Sequence, residues 1–305
     1  MSKKSPYAGE LEVPDWLKFK GKTFSRTLSV VDSTVNRSGI ATVCKEARCP
    51  NRTECWSSGT ATFMLMGDTC TRNCRFCAVK TSDKPSPLNP EEPKNIARAL
   101  HDWDLNYIVL TSVDRDDLPD GGATHLANCI KEIKKEHPKL RIEILIPDFQ
   151  GNIQSLEKIV EAKPDVIAHN IETIERLQAK VRDTRANYQQ SMKILRAVKE
   201  LNPTILTKSS IMVGVGETYD EVVTTMKDLY SNGVQLLTIG QYMRPTFRNL
   251  RVKEYIEEEV FTRWEKEGLN IGYLYVASGP LVRSSYKAGE YYITKILEQK
   301  FTPKN

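Results

Sequence analysis

Three cysteines in eight residues, Cys70-Thr71-Arg72-Asn73-Cys74-Arg75-Phe76-Cys77, constrain this chain more than any other feature. They follow directly on an apolar run, Ala61 to Met66. Three thiolates are one ligand short of a closed tetrahedral zinc site or a fully ligated iron–sulfur cube, so the spacing implies a metal with an open position. Zinc sites usually join two C-x2-C pairs or combine Cys with His. Here a C-x3-C and a C-x2-C share the middle cysteine and no His is near, which makes zinc the weaker reading. A structural metal knot, or cysteines scattered in a core, is the bland alternative.

A second triplet precedes the first, with Cys44, Cys49 and Cys55 spaced C-x4-C-x5-C. Six ligands overfill one four-ligand centre, whereas an even split gives two cubes of three, the second needing a fourth ligand from elsewhere. Six of the seven cysteines lie between Cys44 and Cys77. Disulfides in a secreted chain are the competing use, but Met1-Ser2-Lys3-Lys4 leads into acidic, Pro-containing sequence and not a signal-peptide core. No apolar run approaches the roughly eighteen residues of a membrane span. The expectation is a soluble, cytoplasmic monomer with no membrane contact, its thiols ligating metal in a reducing compartment. A net charge of +5 is too mild to announce nucleic acid, although it suits an acidic partner protein.

Beyond Ala61 short apolar runs alternate with helical patterns. Residues 61–67, 107–113, 141–146, 165–171, 205–214 and 235–242 read as strands, each a near-continuous run of the kind buried parallel strands carry. Between them, Asn89 with Pro90 reads as a helix start, and Leu126, Ile130 and Ile133 form an apolar stripe beside which Cys129 reads as a buried thiol. Further helices fit 153–162, 188–201 and 218–231. Strict alternation predicts an α/β fold, a partial (β/α)6 TIM-type barrel over 61–250. Residues 1–60 and 251–305 read as N-terminal and C-terminal extensions.

Chemistry in such a barrel sits at the carboxyl ends of the strands. The triplet at 70–77 follows the first strand, and the acidic loop Thr111 to Gly122 the second. The fourth strand ends in His169-Asn170-Ile171-Glu172-Thr173, where a period of two puts Asn170 and Glu172 on one side. The carboxylate of Glu172 can accept from a pair of hydroxyls, and the fork of Arg185 suits a carboxylate. Surface or capping roles are the plain readings of all three. The four histidines are scattered and read as structural or exposed.

The C-x3-C-x2-C spacing resembles the signature of the radical S-adenosylmethionine enzymes, and its combination with C-x4-C-x5-C resembles the lipoyl synthase family. Arg283-Ser284-Ser285-Tyr286 is similar to the R-S-S-Y motif of that family. The resemblance runs from Cys44 to about residue 290 and carries several implications. A [4Fe–4S] cluster on Cys70, Cys74 and Cys77 would bind and cleave S-adenosylmethionine, and an auxiliary [4Fe–4S] cluster on Cys44, Cys49, Cys55 and Ser285 would donate sulfur. A serine oxygen is a hard ligand for a soft cube, which suits a cluster meant to be dismantled. The segment with Asn170 and Glu172, the segment 212–217 with Gly214 and Gly216, and the stretch containing Met243 would approach the cofactor. The implied reaction inserts two sulfurs, at C6 and C8 of a protein-bound N6-octanoyl-lysine. The implied partners are lipoyl domains of 2-oxoacid dehydrogenase E2 subunits, the glycine cleavage H protein, an electron donor such as flavodoxin or ferredoxin, and an iron–sulfur carrier. Lys45 and Arg52-Thr53 put polar groups inside the auxiliary motif without altering a ligand. Another two-cluster radical enzyme, or an electron-transfer protein with two clusters, are the alternatives.

Overall fold

The computed structural model describes residues 11–17, 41–46, 53, 62–102 and 107–285, with Ala41, Val43, Cys44 and Asp102 in backbone only. Cys49, Cys55 and Tyr286 therefore lie outside the described residues. The strands are β1 (Ala41–Thr42), β2 (Thr62–Leu65), β3 (Thr69–Cys70), β4 (Lys80–Thr81), β5 (Tyr107–Ser112), β6 (Arg141–Leu145), β7 (Val166–Ala168), β8 (Leu206–Val213), β9 (Leu236–Gln241) and β10 (Tyr275–Gly279). Eight of them form one sheet in the order β1-β2-β5-β6-β7-β8-β9-β10. All pairs from β2 to β10 are parallel, and β1 joins β2 antiparallel. Each parallel strand lies beside its predecessor with no reversal of order, which puts the helices on one face and encloses the other. That is the partial TIM-type barrel, α/β in class.

The period of two divides each strand between two environments. On β5, Ile108 and Leu110 join the helix-side core with Leu126, Ile130 and Ile133 of the Ala123–Glu136 helix. Tyr107 and Val109 point the other way, into a small inner core with Val166, Leu206 and Leu236. Helices start where polar side chains satisfy their first N–H groups. Asn152 accepts from Ser155, Asn187 from Gln190, and Thr218 forms a reciprocal capping box with Glu221. Among the described residues no helix is long and apolar enough to cross a membrane.

All six expected strands are present, and four differences are informative. The fourth strand stops at Ala168; beyond it Glu172 takes a left-handed backbone, φ 66°, and keeps an isolated bridge to Ile211. The first helix after the cysteine loop opens at Glu92, with Pro93 in its first turn, and not at Pro90; Asn89 instead closes a turn by accepting from the Glu91 N–H at 3.0 Å. Within 251–305, the Glu258–Ile271 helix buries Phe261 and Trp264 and ends at Gly272, φ 118°. β10 then adds a seventh parallel strand, paired to β9 through Gly279 and Gly240.

Candidate active site

The cysteine loop leaves β2 through a left-handed turn, Met66 at φ 67° and Gly67 at φ 88°. A non-glycine residue in that region is strained and needs its surroundings to hold it. Here the Glu92 carboxylate accepts the Met66 N–H at 2.9 Å and also meets His125 Nε2 at 2.6 Å. Any Cβ at position 122 would overlap Met66 Sδ, so Gly122 makes the room. The loop closes on itself where Thr69 and Cys70 pair with Lys80 and Thr81. It is tied outward by Thr71 N–H to the Asp114 carbonyl at 2.9 Å, Arg75 N–H to the Val181 carbonyl at 2.9 Å, and Asn249 Nδ2 to the Cys77 carbonyl at 2.6 Å.

Arg72, 4% exposed, clamps the loop onto the barrel mouth. Its guanidinium donates to both oxygens of Asp116, at 2.8 and 2.9 Å, and to both oxygens of Asp148, at 2.8 and 2.7 Å. Two forked pairs on one guanidinium fix distance and plane together, which a lysine does not do. Burial alone would raise Asp148, but the Arg72 bonds and charge outweigh it and hold the carboxyl at about 2. Asp114 lacks such a fork. Burial, with Asp148 and Asp116 nearby, pushes it up to about 6 despite the Arg72 charge. Asp148 is aimed by a tight turn after β6 in which Phe149 (φ 46°) and Gln150 (φ 51°) are both left-handed.

A second chain of bonds runs behind this one. Arg182 Nη1 donates to Ser191 Oγ at 2.8 Å and to Gln178 Oε1 at 3.2 Å. His169 Nδ1 lies 2.9 Å from the Ile146 carbonyl and its Nε2 2.8 Å from Ser191 Oγ. Burial, then the Arg182 charge, lower His169 to about 4, so the ring is neutral. A neutral ring facing a carbonyl at Nδ1 carries its proton there, and Nε2 accepts the Ser191 hydroxyl.

Arg72, His169 and Arg182 border a cavity of about 260 Å3 at the carboxyl ends of the strands. Cys70, Cys74 and Cys77 share its wall with Asp114, Asp148 and Arg182. Asn170 and Glu172 also line it, with Asn170 Nδ2 donating to Glu172 Oε1 at 3.1 Å. They meet through the left-handed turn at Glu172 and not through strand alternation. Ser284 and Ser285 complete the lining. They arrive there because any Cβ at Gly240 would overlap the Val282 carbonyl: the paired glycines let the chain fold back over the end of β9.

Three expected positions fall elsewhere. Arg185 is not among the lining residues; its guanidinium is occupied by Asp183 at 2.8 Å, the Thr71 carbonyl at 2.7 Å and Asp116 at 3.3 Å. Met243 borders a separate groove with Leu11, Phe247 and Tyr255. Gly214, at φ 94°, leaves room for the Gln241 amide and the Glu254 carbonyl. Conversely, Arg72, Asp148 and Arg182 were not singled out from sequence. The available signal was a charged residue just past a strand end, which marks Asp148 after β6.

The donor set fits an iron–sulfur cluster. The three thiols are free of disulfides. Burial pushes Cys70 and Cys74 up to about 12 and raises Cys77, so the thiolates need a cation to persist. Backbone N–H groups already address the sulfurs: Arg72 and Asp114 donate to Cys70 Sγ at 3.4 Å, and Asp183 to Cys74 Sγ at 3.3 Å. Such N–H···S bonds stabilise ligating thiolates and tune cluster potential.

Thiols on the loop after the first strand, at the acidic mouth of a partial barrel, define a class of enzyme. Residues 64–229 match the Radical SAM superfamily. A crystal structure of methylornithine synthase (PylB) shares the fold at a TM-score of 0.54 and 15% identity, over 80% of this chain and 83% of that one. Sequence relatives narrow the class. The chain is 55% identical over 298 residues to "Lipoyl synthase, mitochondrial" of Culex quinquefasciatus, covering 95% of this chain and 77% of the relative. It is 51% identical to "Lipoyl synthase, apicoplast" of Plasmodium vivax (strain Salvador I), covering 94% and 65%. The chain belongs to the lipoyl synthase family, whose members insert sulfur, within the radical S-adenosylmethionine enzymes, which use a [4Fe–4S] cluster with S-adenosylmethionine. The cytoplasmic expectation is overturned by the same relatives, whose names place them in mitochondria and in the apicoplast.

Proposed function

We propose that this enzyme converts a protein-bound N6-octanoyl-lysine to lipoyl-lysine, placing one sulfur at C6 and one at C8. The observation that carries this reading is that Ser285 borders the same cavity as Cys70, Cys74 and Cys77. When bound, a cluster on the three loop thiols supplies the electron that splits S-adenosylmethionine, and a second cluster supplies the sulfur. Cys44, Cys49, Cys55 and Ser285 would hold the second, the cysteines coming from the segment before β2 and the serine from just beyond β10.

The chain's own residues then have distinct tasks. Arg72, locked between Asp116 and Asp148, holds the loop in register with the strand ends. Glu172, raised by burial and oriented by Asn170, faces the cavity as an acceptor for ribose hydroxyls. Arg182 presents a charge to a carboxylate: its Nη1 is engaged by neutral partners, while Nη2 stands 3.9 Å from Asp148. Met64, Val113, Leu145 and Ile146 give the octanoyl chain an apolar wall and exclude water. The substrates would be octanoylated lipoyl domains of 2-oxoacid dehydrogenase E2 subunits or the glycine cleavage H protein, with a low-potential electron donor and an iron–sulfur carrier as auxiliary partners.

Mass spectrometry of an octanoylated lipoyl domain, after incubation with cluster-loaded enzyme, reductant and S-adenosylmethionine, tests the reading: two added sulfurs are expected, and none refutes it. Ser285→Ala should still release 5'-deoxyadenosine yet fail to complete the product. Full lipoyl formation by that variant removes Ser285 from the reaction.

A further inference from the structure

The end of the barrel opposite the cavity carries a group of metal-ligating side chains that the proposed reaction leaves unused. In a parallel strand–helix fold each helix runs back against its strand, so the helices finish at the amino ends of the strands, away from the chemistry. Two neighbouring helices, Glu92–Ala99 and Ala123–Glu136, finish there side by side and share a core that includes Ile96, Ala97, Ile130 and Ile133. His101 stands in the turn just past the first. Glu136 is the last residue of the second, and His137 is its cap. One ring nitrogen of each histidine and one carboxylate oxygen of Glu136 lie within 4.8 Å of one another. His101 Nε2 is 3.0 Å from Glu136 Oε2, and the centroids of the two imidazole rings are 4.6 Å apart. Histidines that are scattered in the sequence meet here through the packing of two helices.

We infer that His101, Glu136 and His137 form a binding site for one divalent transition-metal cation of zinc's class, which ties the ends of the two helices together. The donor set is the first ground. Two imidazoles and a carboxylate are a set that zinc takes with one position left for water. The second is orientation. His137 Nε2 faces the Ala97 carbonyl at 2.9 Å, where it can only donate, so the neutral ring keeps its lone pair on Nδ1. Metal-bound histidines are aimed by such a bond on their other nitrogen. The third is charge. The last carbonyls of a helix give its end partial negative charge, and Glu136 adds a full charge at that end, the unfavourable one for an acid. Among the described residues no lysine or arginine reaches Glu136 at ion-pair distance, and the adjacent Lys135 pairs with Glu132 instead. Little has to move to admit an ion. Tetrahedral bonds of about 2.0–2.1 Å keep ligand atoms roughly 3.3 Å apart. The His101–Glu136 separation is already close to that, and the His101 side chain, 57% exposed, can rotate and leaves the ion an open path. The site lies at the other end of the barrel from the thiols, and it does not depend on the reaction proposed for them.

The test is equilibrium dialysis of the cluster-loaded enzyme against zinc chloride, with zinc and iron measured together. The wild type should hold one zinc per chain that the double variant His101→Ala, His137→Ala lacks, at equal iron content. Glu136→Gln should weaken zinc binding by about 10- to 100-fold or more, since even loss of an outer-shell partner costs that much. X-ray absorption at the zinc edge then identifies the ligands. Nitrogen and oxygen neighbours at about 2.0–2.1 Å are expected, whereas sulfur at about 2.3 Å would put the zinc on cysteines and overturn the inference. Zinc should also raise the thermal unfolding midpoint of the wild type and leave that of the double variant where it was. Each protein is compared with itself, so a variant that is merely less stable cannot imitate this result. Equal zinc in the wild type and the double variant, or none in either, overturns the inference, and so does a wild-type midpoint that zinc does not move.

Discussion

Two sets of buried charges sit inside the same strands, one at the amino end of the barrel and one at its mouth, and they are built differently. At the lower end Lys208 donates to both oxygens of Glu143, at 2.8 and 2.9 Å, and the Tyr107 hydroxyl adds a bond of 2.6 Å. One cation meets one anion, 3% and 1% exposed, among aliphatic neighbours. At the mouth Arg72 and Arg182, with Arg185 reaching Asp116 from the outer edge, face Asp114, Asp116, Asp148 and Glu172, and Asp114 and Glu172 are raised by burial without a fork of their own. A matched pair closes the floor. An unmatched acidic cluster beside three thiols is poised for something that brings positive charge, as S-adenosylmethionine and iron both do. The lower set should therefore govern stability alone, whereas the upper set should govern activity and carry a share of stability that depends on pH.

The sharpest way to break that division is to cut one member from each. Cys77→Ala should lower 5'-deoxyadenosine release to background, on the order of 10^3-fold or more, by removing a ligand while leaving the barrel intact. On the proposed two-cluster reading iron content should fall by about half, and the denaturation midpoint of the apo-protein should barely move. Lys208→Met does the reverse. It strands a buried Glu143 and should cost roughly 3–5 kcal/mol in chemical denaturation, while the double change Lys208→Met, Glu143→Leu regains most of that loss. A variant of the floor that keeps full stability but loses S-adenosylmethionine cleavage would erase the distinction.

A pH titration sharpens the same contrast within the mouth. His169 is lowered from 6.5 to about 4 by burial and the Arg182 charge, so the folded state binds its proton less readily than the unfolded chain does. Above pH 6.5 the ring is neutral in both states and its contribution is fully present. As pH falls from 6.5 to 4 the unfolded chain gains a proton that the folded one refuses, and stability drops by up to about 3 kcal/mol before levelling off. His169→Asn should remove this slope. Asp148, lowered from 3.8 to about 2, contributes a separate loss below that window. The measurement is urea unfolding of apo-protein across the pH range.

What was legible in the chain divides along a physical line. The strands announced themselves because buried parallel strands are runs of branched apolar residues, and the helix at Tyr188–Leu201 matched its expected span. β10 did not, since Tyr275, Val276, Ala277, Ser278 and Gly279 include three small residues whose place depends on Gly240 next door. The cysteine triplet is local and spoke for itself. The clamp on Arg72 joins residues 44 and 76 positions apart, on turns after different strands, and no spacing in a sequence encodes that meeting. Asn170 and Glu172 do reach the cavity together, through a left-handed turn that the alternation of an extended strand does not contain.

The choice between Arg182 and Arg185 is the finest cut. Both follow the Gln178–Val181 helix turn and both are forked donors, so sequence alone gave no reason to prefer the buried one. Arg185 spends its guanidinium on Asp183, the Thr71 carbonyl and Asp116 at the loop's outer edge, with its side chain 42% exposed. Arg182 is 7% exposed and borders the cavity. A charge held out of water interacts far more strongly with an incoming carboxylate than one shared with solvent and two acids. Arg182→Gln should therefore raise the KM for S-adenosylmethionine by about 10- to 100-fold, while Arg185→Gln should raise it by no more than a few-fold. Initial rates of 5'-deoxyadenosine release with dithionite as reductant check both. Equal effects would mean that the exposed fork leaves its ion pairs to bind the cofactor, and that the mouth uses charge from outside the cavity as well as from within it.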